Sequence, residues 1–206
     1  MNSKGHLLRV ALFGWAMTSA AGCSSTEVAS ESSAALAYLG IDRVVSECLA
    51  LGFAGFNAAS SANIPPQQSE GEASGTLAVT GQVDQGASDN KGMRLAVALT
   101  GYADGPLDDP STETTEAFQV VYDTEESSPL ALELQLRDIP NGALTGTLLG
   151  EVRMEGDLRG ALFLDVTFSG DLEEDDSGGT RRVAGTTRVA GSAESDYGTY
   201  EVETEL

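Results

Sequence analysis

This 206-residue chain has almost none of the residue types that carry most metal, redox and triad chemistry: one histidine (His6), one tryptophan (Trp15) and two cysteines (Cys23 and Cys48). Beyond residue 22 there is no histidine at all. Residues 23–206 are therefore closed to any histidine-based triad, general base or metal site. Lysine is nearly missing too, with only Lys4 and Lys91, and the 11 basic residues face 32 acids for a net charge of −21. Such a surface repels nucleic acid and does not dock on anionic lipid by charge; its main effect is solubility. Long apolar runs are also absent. Val10–Ala21 spans 12 residues, well short of the ~20 that cross a bilayer as a helix.

What the first two dozen residues do contain is ordered. Lys4 and Arg9 stand in a start with no acid, the apolar run follows, and Ala20, Ala21 and Gly22 lead into Cys23. A basic region, a short apolar region and a small-residue cleavage site are the layout of a secretory signal peptide. With a cysteine directly after that site, the segment resembles the lipobox of bacterial lipoproteins, although Ala20 stands where leucine is usual. The resemblance implies that residues 1–22 are removed and that Cys23 receives a diacylglycerol thioether as the new N-terminus. It also implies that Ser24, in place of aspartate, directs the protein to the outer membrane. Removing residues 1–22 from 206 leaves 184 residues, enough for one domain with its own core. Two or more acyl chains hold stably where one holds marginally. Cys48 would then be the single remaining thiol, in the apolar stretch Ser46-Glu-Cys-Leu-Ala-Leu. A buried inert side chain is the expectation there, not a nucleophile.

Three segments follow. Residues 23–33 read as a polar tether. Residues 34–59 read as a helix, because Ile41, Val44, Val45, Cys48, Leu51 and Gly52 recur at i, i+3, i+4 spacing with Asp42, Arg43, Ser46 and Glu47 opposite. Its stretch Leu49–Phe56 is apolar nearly all round, so it should pack on the rest of the domain. Residues 60–74, with Pro65-Pro66, read as a linker.

From Gly75 the period becomes two. Leu77, Val79, Gly81 and Val83 share a face, as do Met93 to Gly101, Phe118 to Tyr122, and Leu130 to Leu136. Through Leu144–Leu172 every even position is apolar or glycine. Twenty-nine extended residues would run ~95 Å at ~3.3 Å each, so the chain must reverse within that stretch, and Glu155-Gly156-Asp157 is the expected place. Paired residues must share a face, which predicts a three-residue connection with Met154 opposite Leu158. Val183 to Ala193 and Tyr200 to Val202 complete the pattern. The expected fold is mainly β: a single antiparallel up-and-down sheet or barrel of about eight strands over residues 75–206, with one N-terminal helix packed on it. Nine glycines fall on the apolar face: Gly81, Gly101, Gly146, Gly150, Gly156, Gly160, Gly170, Gly185 and Gly191. They indicate strong coiling, or close approach of the helix or of a ligand.

Candidate chemistry is sparse. Ser88-Asp-Asn-Lys91 contains both Ser-x-x-Lys and Ser-Asp-Asn, but packs into four residues two motifs that serine enzymes keep on separate elements, and Lys-Thr-Gly is absent. Asp171 to Asp175 spaces acids as calcium loops do, yet Asp176 and Arg182 stand where an EF-hand needs glycine and glutamate. The acidic loops at 104–116 and 123–126 leave the metal question open, runs of like charge being usually solvated. No acid pair is singled out for hydrolytic work. Tyr197 and Tyr200 read as core and edge packing.

These residues predict no catalytic site and no cofactor. They predict a non-enzymatic envelope lipoprotein, held in a bacterial outer membrane through Cys23, that acts as a structural or protein-interaction module with other envelope proteins as partners. The alternative is a carrier that holds an apolar ligand such as lipid between helix and sheet. An eight-stranded membrane barrel, apolar outside, is a weaker third reading, since aromatic girdles are missing.

Overall fold

The structure is a computed structural model and describes residues 26–108 and 117–206; the signal segment and Cys23 lie outside the described residues. The described chain is mainly β with one helix. In order it forms β1 (Thr26–Glu27), α1 (Glu31–Ala58), β2 (Asn63–Glu70), β3 (Ser74–Val83), β4 (Lys91–Ala103), β5 (Leu107–Asp108), β6 (Ala117–Phe118), β7 (Val120–Asp123), β8 (Leu130–Arg137), β9 (Ala143–Gly156), β10 (Leu158–Glu174), β11 (Thr180–Arg182), β12 (Arg188–Ser195) and β13 (Gly198–Glu205).

The main sheet runs β13-β12-β10-β9-β7-β4-β3-β2, with β8 also placed between β4 and β9. Shared positions explain why there are more strands than the eight expected. β4 pairs with β8 along Lys91–Val97 and with β7 at Tyr102, so β7 and β8 are one strand broken at Thr124–Pro129. On one flank of β10, β1 pairs at Leu158–Arg159, β12 along Phe163–Ser169 and β11 at Leu172–Glu174. The topology is an up-and-down meander. β2 and β13 are its two edges and do not pair with each other, so the sheet is strongly coiled but open.

Alternation decides which face is inside. Leu77, Val79, Val97, Leu134, Val152, Leu164 and Val166 are fully buried on one face, while Thr145, Thr147 and Thr167 point to the other. A membrane barrel needs the reverse arrangement, with apolar side chains outward. α1 lies on the apolar face and contacts both edge strands, β2 and β13, as well as β3, β4 and β11. It thereby fills the opening that the unpaired edges leave.

Several boundaries differ from the sequence expectation. The helix starts at Glu31, because Ser30 and Ser33 form a capping box: the Ser30 hydroxyl accepts from the Ser33 backbone N–H, and the Ser33 hydroxyl accepts from the Ser30 N–H. Residues 26–33 are thus strand, cap and first helical turn instead of a free tether. Residues 60–74 are not a linker but hold edge strand β2. Pro65-Pro66 is tolerated because the ladder with β3 slips between Ile64 and Gln67, where no amide is needed. Residues 183–187 leave the sheet through a turn at Gly185 (φ +77°), and β12 starts only at Arg188. The β9–β10 hairpin keeps the predicted faces, but Met154 pairs with Gly160 instead of Leu158. Past that pair, Glu155 and Gly156 pair only with β7, and Leu158 and Arg159 only with β1, each on the far edge of its strand.

Candidate functional site

Three places could carry function: the helix–sheet interior, the polar clasp that holds the helix, and the outer face of the sheet.

The interior is made by residues the heptad-like spacing of α1 turns inward. Ala34, Ala37, Tyr38, Ile41 and Cys48 have no exposure, and Val44, Val45 and Leu49 at most 2 %. They meet Leu77, Val79, Met93 and Leu99 of the sheet in one continuous core. The helix comes this close because it carries glycine at the contacts. A Cβ on Gly52 would lie 2.7 Å from the Met93 sulfur, and one on Gly55 2.8 Å from Ile64 Cδ1. Sheet glycines serve the coil instead: Gly81 (φ +137°) and Gly191 (φ +159°) sit against backbone carbonyls of the neighbouring strand, where a side chain would clash. Gly146 makes room for the Phe168 ring, 2.5 Å from where its Cβ would be. At Gly52, Gly55, Gly81, Gly146 and Gly191 the space is thus taken by the protein's own atoms, whereas a Cβ on Gly101 or Gly185 would meet nothing within 4 Å.

Polar groups inside are few. The Tyr122 hydroxyl donates to the Ala37 carbonyl at 2.8 Å, joining sheet to helix, while the Tyr38 hydroxyl is buried without a partner. Burial pushes Tyr38, Tyr102 and Tyr122 above the ordinary tyrosine range, with Asp42 adding to the effect on Tyr38 and Asp104 on Tyr102. Burial likewise pushes the Cys48 thiol up. A thiol held neutral and enclosed is no nucleophile, as its apolar surroundings in the sequence indicated.

The clasp was not anticipated. Arg182, at the end of β11, reaches across to α1: one guanidinium nitrogen donates to the Asp42 carbonyl (3.1 Å) and Ser46 hydroxyl (2.9 Å), the other to the Asp42 carboxylate (2.8 Å) and Thr187 hydroxyl (2.7 Å). The two side chains of this ion pair are only 8 % and 16 % exposed. The other described ion pairs are far more open, for example Arg188–Glu205 at 76 % and 74 %. Thr187 in turn exchanges two backbone hydrogen bonds with Leu206. The hint in the sequence was Arg181-Arg182, adjacent cations in an otherwise acidic chain.

The outer face bears an open groove of about 850 Å³ across β8, β9, β10, β12 and β13, lined by Gln135, Thr145, Thr147, Thr167, Ser169 and Arg188 among others. It is a hydroxyl-rich, solvated saddle with no buried charge. Beside it on the same face, Leu149 (44 %) and Phe163 (41 %) are exposed.

The remaining sequence candidates have structural explanations. Lys91 is buried, donates to the Gly86 carbonyl and lies 4.6 Å over the Phe56 ring; the Ser88 hydroxyl instead accepts from the Asn90 N–H. The Asp175 carboxylate accepts from the Ser177 hydroxyl and from the Ser177 and Gly179 N–H groups, which lowers its pKa. Asp123 accepts from the Gly101 N–H, and Asp104 from the Glu72 N–H. These acids tie turns together, and among the described residues no three metal-ligating side chains converge. Residues 109–116 of the acidic loop lie outside the description. Tyr200 packs against the core as expected, whereas Tyr197 is 58 % exposed. Its turn position, two residues past the last inward side chain of β12, lifts it off the sheet.

The class defined by these features is an open antiparallel meander closed by its own N-terminal helix. No family model, curated protein or solved structure matches the chain.

Proposed function

We propose that this chain is an envelope lipoprotein, anchored in a bacterial outer membrane through acylated Cys23, that works without catalysis as a structural or protein-interaction module. The observation that carries the reading is the occupation of the apolar sheet face by α1. A carrier needs an enclosed apolar space, and here Tyr38, Ile41, Val45 and Leu49 take that place with at most 2 % exposure. The outer surface, where Leu149 and Phe163 stand exposed beside a polar groove, supports a protein partner there.

Two measurements test the halves of this proposal. In a lipoprotein-processing bacterium the full chain should sediment with the outer membrane, and Cys23→Ala should not; an unmodified N-terminal peptide from the wild type would sink the anchor. A soluble version starting at Ser25, purified gently and weighed intact, should carry no ligand. A discrete apolar molecule bound to it would instead make the protein a carrier, with α1 as its lid.

A further inference from the structure

We infer that the end of the domain formed by the β9–β10 and β12–β13 turns rests on the lipid bilayer, with Tyr197 in the headgroup layer. This inference rests on the proposed acylation of Cys23 and adds the orientation and the contact surface. The argument starts from where the chain becomes fixed. The Thr26 N–H donates to the Asp157 carbonyl at 2.7 Å, the Glu27 carboxylate pairs with Arg159 at 2.6 Å, and Val28 is buried. The Val28 carbonyl takes the Ser195 hydroxyl at 2.7 Å. The chain is thus part of the domain from Thr26 onward, held by the very turns in question.

Only Ser24 and Ser25 separate Thr26 from Cys23. Three residue steps span at most about 11 Å when fully extended. Acyl chains on Cys23 would therefore bring the bilayer surface within about that distance of Thr26 and Asp157. The opposite end lies much further away, since the 17 residues of β10 run up to about 55 Å from its β1 end to its β11 end. A long tether would leave the domain free to tumble; this one does not.

The surface so presented suits that place in one respect and limits it in another. Tyr197, at 58 %, is the most exposed large apolar side chain among the described residues. Its ring with a polar tip is the kind that settles at a membrane–water boundary. The two turns and their flanks carry Glu155, Asp157, Glu194 and Asp196 against Arg153 and Arg159. The partner is thus a zwitterionic lipid surface: acyl chains supply the affinity, Tyr197 sets the pose, and anionic headgroups would repel this end.

The test uses the absence of tryptophan beyond residue 22. Full-length Tyr197→Trp and Asp89→Trp chains, the latter marking the opposite end, are processed in cells and reconstituted into phosphatidylcholine vesicles with brominated acyl chains. Intact mass establishes acylation first. The expected result is blue-shifted, quenched emission at position 197 and unquenched emission at position 89. Equal, unquenched emission from both in an acylated, vesicle-bound protein overturns the inference while leaving the anchor standing. An unacylated chain that does not bind vesicles overturns the anchor itself. Hydrogen exchange on the unsubstituted protein gives the same decision without a variant: slowed exchange at 155–157 and 195–198 on vesicle binding supports the contact, and unchanged exchange there refutes it.

Discussion

A methyl group on Gly40 would stand 2.7 and 2.8 Å from ring carbons of Tyr122, whose hydroxyl is tied to the Ala37 carbonyl. The ring cannot retreat without giving up that bond. On an exposed helix, glycine to alanine gains about 1 kcal/mol in propensity; here overpacking of about 1–3 kcal/mol opposes it. Gly40→Ala should lower the urea midpoint, and a raised midpoint would show that the Tyr122 contact is slack. Arg182 is the second residue whose context decides its worth. Arg182→Met strands Asp42 in a largely enclosed site, where loss of one partner costs about 3 kcal/mol or more. The double variant with Asp42→Leu should recover most of the loss in chemical denaturation; failure to recover would mean that Arg182 acts through Thr187 and Ser46 instead. Neither role was legible beforehand. The sheet's alternation carries no signal for a glycine on a helix, and Arg182 gains its meaning only from a contact 140 residues away in sequence.

At the scale of elements, periodicity proved a good guide and termini a poor one. The i, i+3, i+4 pattern located α1, Arg43 and Ser46 do face solvent, and Leu49–Phe56 packs on the domain as expected, although it is the looser half. Leu51, Phe53 and Phe56 are only partly buried, whereas Ala34–Leu49 holds nearly all of the fully buried helix residues. Val45→Asp should therefore abolish cooperative thermal unfolding, while Leu51→Asp should leave a cooperative transition at lower temperature. Equal effects would place the helix differently against the sheet. β2 is illegible in the sequence because its two prolines argue against a central strand, and nothing local tells an edge strand with a register slip from a linker. The β9–β10 turn shows the same limit: parity fixed the faces, but not where the pairing ends, which is at Met154 and Gly160.

For the molecule as a whole, alternation over so many consecutive strands made the antiparallel meander legible, whereas open versus closed depended on accumulated coil that no single segment encodes. Charge acts at this scale as well. With 32 acids against 11 bases, unpaired like charges dominate over exposed ion pairs that contribute at most about 1 kcal/mol each. Raising sodium chloride from low salt to ~0.15 M should raise the melting temperature, because the Debye length shrinks to ~8 Å; a fall would mean that the pairs matter more than the repulsion. The seat of α1 between β2 and β13 also sets an order of events. α1, which precedes every long strand of the described sheet, contacts a strand that begins at Gly198, so its apolar stripe has no complete shelter until that strand has joined. Contacts so distant in sequence make folding slow and leave sticky intermediates. A chain halted before Gly198 would carry a homeless helix, a natural substrate for whatever holds unfolded proteins apart.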